Sequence, residues 1–128
     1  MTINTFEELE IWQLARELCK LVKKITDNAP FINDFKFRDQ IRASSGSVMD
    51  NIAEGFERDG NREFSQFLSI AKGSNGEVRS QLYRAFDYNY INEADLKELL
   101  ERTETLGNKI GNFMKYIKTS DIKGRKFQ

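Results

Sequence analysis

The chain has 128 residues, 39% of them hydrophobic and 31% charged, which suits one globular domain with its own core and not a disordered segment. Its 20 basic and 20 acidic side chains cancel to a formal charge of zero, so the basic excess usual in proteins that live on nucleic acid is missing. No histidine occurs, which excludes imidazole acid/base chemistry, Ser-His-Asp and Cys-His nucleophiles, and most zinc sites.

One cysteine, Cys19, cannot form an internal disulfide, which fits a reducing compartment. No apolar run approaches the roughly 20 residues that a bilayer requires. The opening MTINTFEELEIWQ is acidic and lacks the order of a signal peptide. These features predict a soluble, cytoplasmic protein without a membrane partner.

Thr5 followed by Glu8 is a capping-box pattern and predicts a first helix over about 5–28. Ile11, Leu14, Leu18, Leu21 and Ile25 mark its apolar face, widened by Trp12, Ala15, Cys19 and Val22. That arc exceeds the ~100° needed to dock on one core, so the helix either sinks deep into its own bundle or also meets another copy. Trp12 and Phe6 read as a packing anchor rather than a stacking platform. Cys19, on an apolar face with no base available, reads as a small core residue.

Asn28-Ala29-Pro30 ends this helix, and Asn33 or Asp34 can cap a second over about 34–58. Phe37, Ile41, Val48, Ile52 and Phe56 recur at helical spacing and share one side. Beside them Gln40, Ser44, Ser47, Asn51 and Glu54 form a polar stripe, crowded by Ala43, Ser45, Gly46, Ala53 and Gly55. So little bulk invites a close neighbouring helix, against which the polar atoms must find partners.

Asp59-Gly60-Asn61 is a turn, with Asn61 the expected cap of a third helix over about 61–88. Its apolar spacing stays in phase from Phe64 to Phe86 through Gly73-Ser74-Asn75-Gly76. Those glycines cost helix propensity and are expected to face the small residues of helix two. With no strand before them and no GK[ST] after, they are not a phosphate loop. Asn92 caps a fourth helix over about 92–117, whose Gly107 and Gly111 point to close packing. Residues 118–128 are expected to form a frayed basic tail. The whole reads as one all-α domain over 1–128, an antiparallel up-down-up-down four-helix bundle.

The candidate site is a polar seam of Gln40, Arg42, Ser44, Asn51 and Glu54 on helix two with Ser74, Glu77 and Gln81 on helix three. Two readings compete. If Glu54 and Glu77 face each other, they form an oxygen-only metal site or a shared-proton acid/base pair. Otherwise the groups satisfy one another in a hydrogen-bonded seam, the preferred reading because ferritin-like bundle sites use histidine. No catalytic residue, metal ligand or cofactor is assigned. In the basic tail, Lys118, Lys123, Arg125 and Lys126 either contact RNA phosphates or are merely solvated.

The segments FEELEIWQLA, QIRASSGSVMDNIAEGF and EFSQFLSIAKGSNGEVRSQL carry a resemblance. Through Trp12, Gln40 to Arg42, Ser44 to Ser47, Asn51 to Gly55, Phe64 to Leu68, Ala71 to Ser74, Glu77, Gln81 and Leu82, the chain resembles the bacterial 23S rRNA intervening sequence proteins. Met49 stands where that family often has proline. The resemblance implies an antiparallel four-helix bundle assembling as a homopentamer, with an unestablished biochemical role and no catalytic residues to transfer. The expected function is a non-enzymatic oligomeric scaffold or binding module whose partner is RNA or a protein. The alternative is a metal-binding or acid/base protein using the Glu54/Glu77 pair.

Overall fold

A computed structural model describes residues 2–120. It contains α1 (Glu10–Thr26), α2 (Phe35–Glu57), α3 (Asn61–Asp87) and α4 (Glu93–Ile117), and no β-strand among the described residues. Short 3-10 turns at Phe6–Glu8 and Phe31–Asn33 precede α1 and α2.

The helices pack chiefly in the cycle α1–α2, α2–α3, α3–α4 and α4–α1, with α2–α3 the most extensive contact. Side-chain pairs give the direction of each contact. Arg42 meets Thr26 while Ser45 meets Cys19; Gln40 meets Arg84 while Ser47 meets Ser74; Arg79 meets Leu100 while Asn61 meets Ile117. Position falls along one helix as it rises along its neighbour, so every sequential pair is antiparallel. Short connections allow nothing else.

The apolar stripes meet along the centre of the bundle. Leu18, Ile41, Ile52, Phe64, Leu68, Leu82, Leu106 and Ile110 are fully buried, each worth about 1.5–3 kcal/mol of transfer free energy. Phe31 plugs the end formed by the α1–α2 and α3–α4 connections, with its ring 5.0 Å from Phe37 and 4.9 Å from Tyr90. The wide arc of α1 is used largely inside the chain. Trp12, Ala15 and Val22 are buried, Phe6 meets Trp12 edge to face at 5.1 Å, and Leu14 and Leu21 pack half-buried against the core. Of the two readings of that arc, the structure shows the deep one.

Two helix starts differ from expectation. The Glu8 carboxylate does accept from the backbone N–H groups of Thr5 and Asn4, at 2.8 Å each. These bonds hold its acid below the ordinary carboxylate range. They organise only the 3-10 turn, because Leu9 is extended (φ −74°, ψ 125°) and buried, and α1 begins at Glu10. Asn61 is not the cap of α3. Gly60 is, with φ 94°, a left-handed geometry that suits glycine. Asn61 Nδ2 instead donates to the carbonyls of Ile117 (2.7 Å) and Ser120 (3.0 Å), closing the far end of α4. Asp34 caps α2 through Phe37 N–H and Asn92 caps α4 through Asp95 N–H, as capping propensity predicts.

Beside the α1–α2 connection, Asp27 accepts from Lys23 and from Arg42, which lower its pKa below the usual aspartate value, Lys23 most strongly. A carboxyl whose pKa is depressed by folding contributes stability above its unfolded pKa and loses it as pH falls through the folded one. Asp27→Asn is therefore expected to flatten the stability profile below the ordinary aspartate pKa of about 4. Urea melts of both proteins across that acid range check it, and unchanged slopes would contradict it.

Candidate functional site

Helices α2 and α3 are brought close by glycine and serine. A methyl group added at Gly55 would lie 2.7 Å from Phe67 Cβ and 3.0 Å from Phe64 Cδ1, so only a bare Cα fits there. One to three turns away, Ser47 Oγ lies 2.8 Å from Ser74 Oγ. Asn51 Nδ2 donates to Ser47 Oγ (3.0 Å) and to Ser47 O (2.8 Å). Ser44 Oγ donates back to Gln40 O, and Arg84 donates to Gln40 Oε1 at 3.2 Å while its guanidinium sits 4.1 Å from the Phe37 ring centre. Gln40, Ser44, Asn51 and Ser74 thus line the α2–α3 contact with hydrogen bonds to the protein itself. Gln81 lies on the same stripe of α3, 5% exposed, and its Oε1 has no donor among the described residues.

The remaining candidates go elsewhere. Arg42 turns to α1, donating from Nε to Thr26 Oγ1 (2.8 Å) and from Nη2 to Asp27 Oδ1 (2.9 Å). Glu54 and Glu77 do not form a pair. From the Ser47–Ser74 contact, Glu54 lies seven residues one way and Glu77 three residues the other, about 15 Å apart along the bundle at 1.5 Å per residue. Both are exposed, and Glu54 binds Arg58 at 3.1 Å. Equal spacing on two stripes was compatible with their meeting, but the antiparallel register separates them. Among the described residues no group of three or more Cys, Asp or Glu side chains is placed to hold a metal ion.

A second polar cluster, between α3 and α4, escaped the reading of the sequence. Asn75 Nδ2 donates to Thr103 O (2.8 Å), while Arg79 donates to Leu100 O (2.8 Å) and Thr103 Oγ1 (3.0 Å). Asn75 is 2% exposed, and its Oδ1 has no donor among the described residues. Gly107 makes room for it, since a Cβ there would come within 3.1 Å of Asn75 Nδ2. The close-packing expectation for Gly107 is met. The available signal was the four-residue step from Asn75 to Arg79, on the side of α3 away from Ser74.

Gly73 and Gly76 overturn an expectation. Both are exposed, and a Cβ on either would meet nothing within 4 Å, so neither packs against α2. They lie on the outward arc of α3, whose α2-facing stripe is Ile70, Ser74, Glu77 and Gln81.

Cys19 donates to Ser45 O at 3.3 Å, and burial pushes its thiol pKa up. A thiol so held is a poor nucleophile at neutral pH. Alkylation by iodoacetamide at about pH 7.5 should run at least ~10-fold slower in the native chain than in urea; equal rates would contradict this packing. The larger clefts avoid the seam. One of about 450 Å³ is lined by Ile3, Leu9, Ile11, Phe113 and Tyr116 beside Glu8, Glu10 and Lys109, and another of about 290 Å³ lies between Asn75, Arg79 and Gly107. Lys118 is exposed just past α4; Lys123, Arg125 and Lys126 lie outside the described residues, as does most of the expected frayed tail. No helix among the described residues is long and apolar enough to cross a membrane.

A family model described as 23S rRNA-intervening sequence protein matches residues 7–112. The fold is similar to the 1.70 Å crystal structure of a protein of unknown function from the S23 ribosomal protein family of Bacteroides thetaiotaomicron. The TM-score is 0.74 at 19% identity, over 82% of this chain and 98% of that one. At that identity the likeness is one of fold. Comparison with curated proteins finds no match.

Proposed function

We propose, on the premise that this chain belongs to the 23S rRNA-intervening sequence protein family, that it works without catalysis as a self-assembling cytoplasmic scaffold presenting a binding surface for RNA. The observation that carries the reading is where the polar side chains go. Ser44, Ser47, Asn51, Ser74, Asn75 and Arg79 bond to one another or to backbone across helix contacts instead of converging on a cleft. Such a network fixes how helices meet and leaves no nucleophile–base pair to act on a substrate. The assembly is a homopentamer, as the resemblance implies, and RNA is suggested by the family's name. With zero net charge per chain, binding depends on gathering modest basic groups such as Lys118, Lys123, Arg125 and Lys126 on one assembled surface.

Fluorescence anisotropy of labelled single-stranded and hairpin RNA, at low and at physiological salt, tests the RNA assignment. Binding that persists at physiological salt and distinguishes the two RNAs is the expected result. Binding that vanishes with salt or never appears would overturn it and leave a protein partner as the ligand to seek.

A further inference from the structure

We propose that the outer face shared by α2 and α3, around Ser47, Ile70, Gly73 and Glu77, is where a second copy of this chain docks, presenting the cationic side of its α1. The proposal rests on the self-assembly put forward above and assigns it a surface.

Three independent features mark this face. Gly73 is exposed with open space where a side chain would stand, so packing within the chain gives no reason for a residue that weakens a helix. A bare Cα lets a partner's helix approach closely. Ile70, one turn away, is 52% exposed, a large aliphatic side chain left uncovered by the bundle. Gln81, along the same stripe, is 95% buried by its 5% exposure yet has an unpaired Oε1 among the described residues, a carbonyl that still requires a donor.

Charge selects the partner surface. The exposed positions of α2 include Asp39, Asp50, Glu54 and Glu57, and Glu77 continues this acidity onto α3. On α1 the exposed positions include Arg16, Lys20, Lys23 and Lys24 against Glu10 and Glu17. Copies of one chain therefore carry complementary patches on different helices. Contact between unlike patches is head-to-tail and closes into a ring when the rotation allows, whereas like patches would form a two-fold dimer.

Light scattering on the full-length chain and on Gly73→Trp tests this. The wild type is expected to assemble, and Gly73→Trp, whose indole projects into open space in the single chain, to keep its helicity but fall to the monomer mass of 14.9 kDa. Should the tryptophan lower helicity, Glu77→Arg replaces it, with the same loss of mass expected. A folded variant that assembles like the wild type would overturn this face while leaving self-assembly intact. A wild type that is itself monomeric would overturn the assembly reading and this inference with it. Assembly that does not weaken as salt is raised to about 1 M, where charges are screened within ~3 Å, would overturn the pairing with α1.

Discussion

Replacing Phe64 by alanine is expected to cost about 4 kcal/mol, the largest loss from any single side chain considered. Phe64 is fully buried near the start of α3, and its ring meets Phe56 of α2 edge-on at 6.0 Å and Phe113 of α4 at 5.7 Å. One side chain thus joins three helices. Removing it deletes the transfer free energy of a whole phenyl ring and leaves a void that three rigid backbones close poorly. It also removes two aromatic contacts worth ~0.5–1.5 kcal/mol each. For a chain of this size roughly 3–5 °C of melting temperature accompanies each kcal/mol, so a fall of about 12–20 °C is expected. A loss of only a few degrees in a thermal melt would contradict the placement of Phe64.

Gly55→Ala is expected to destabilise by about 2 kcal/mol, although alanine is by itself the better helix former by about 1 kcal/mol. The new methyl would stand 2.7 Å from Phe67 Cβ, an atom fixed to the backbone of α3, so the whole helix contact must give way. Gly73→Ala is the control: the same helix gain applies and the methyl meets nothing, so about 0.5–1 kcal/mol of stabilisation of the single chain is expected. The opposite signs isolate the contact from the propensity. Denaturant melts below the assembly concentration measure both. Two stabilising substitutions would show that α2 and α3 are not pressed together at Gly55.

The helix phases were legible because burial repeats every three or four residues, and Ile41, Val48 and Ile52 or Leu68, Ala71 and Val78 leave no other consistent face. Neighbourhood was less legible. A stripe shows which side of a helix is polar but not the axial register against the next helix, so Ser47 and Ser74 meet while Glu54 and Glu77 do not. The wide face of α1 and the glycines of α3 show a related gap. A sequence shows that surface is apolar or bare without showing whether its own chain covers it. Chain folding accounts for Trp12 and for Gly107, but not for Gly73. Asn61 looked like a cap because its side chain suits one, but Gly60 takes the left-handed geometry that precedes α3 and frees the amide to close α4. Asn75 and Thr103 were hidden because a buried polar residue inside an apolar stripe has the spacing of core.

The account stands on a bundle that acts as an assembly and not as a single chain. Multi-angle light scattering of the unmodified protein at micromolar concentration tests that most directly. The predicted result is one species at about five times the 14.9 kDa chain mass. A single species at the mass of one chain would contradict it.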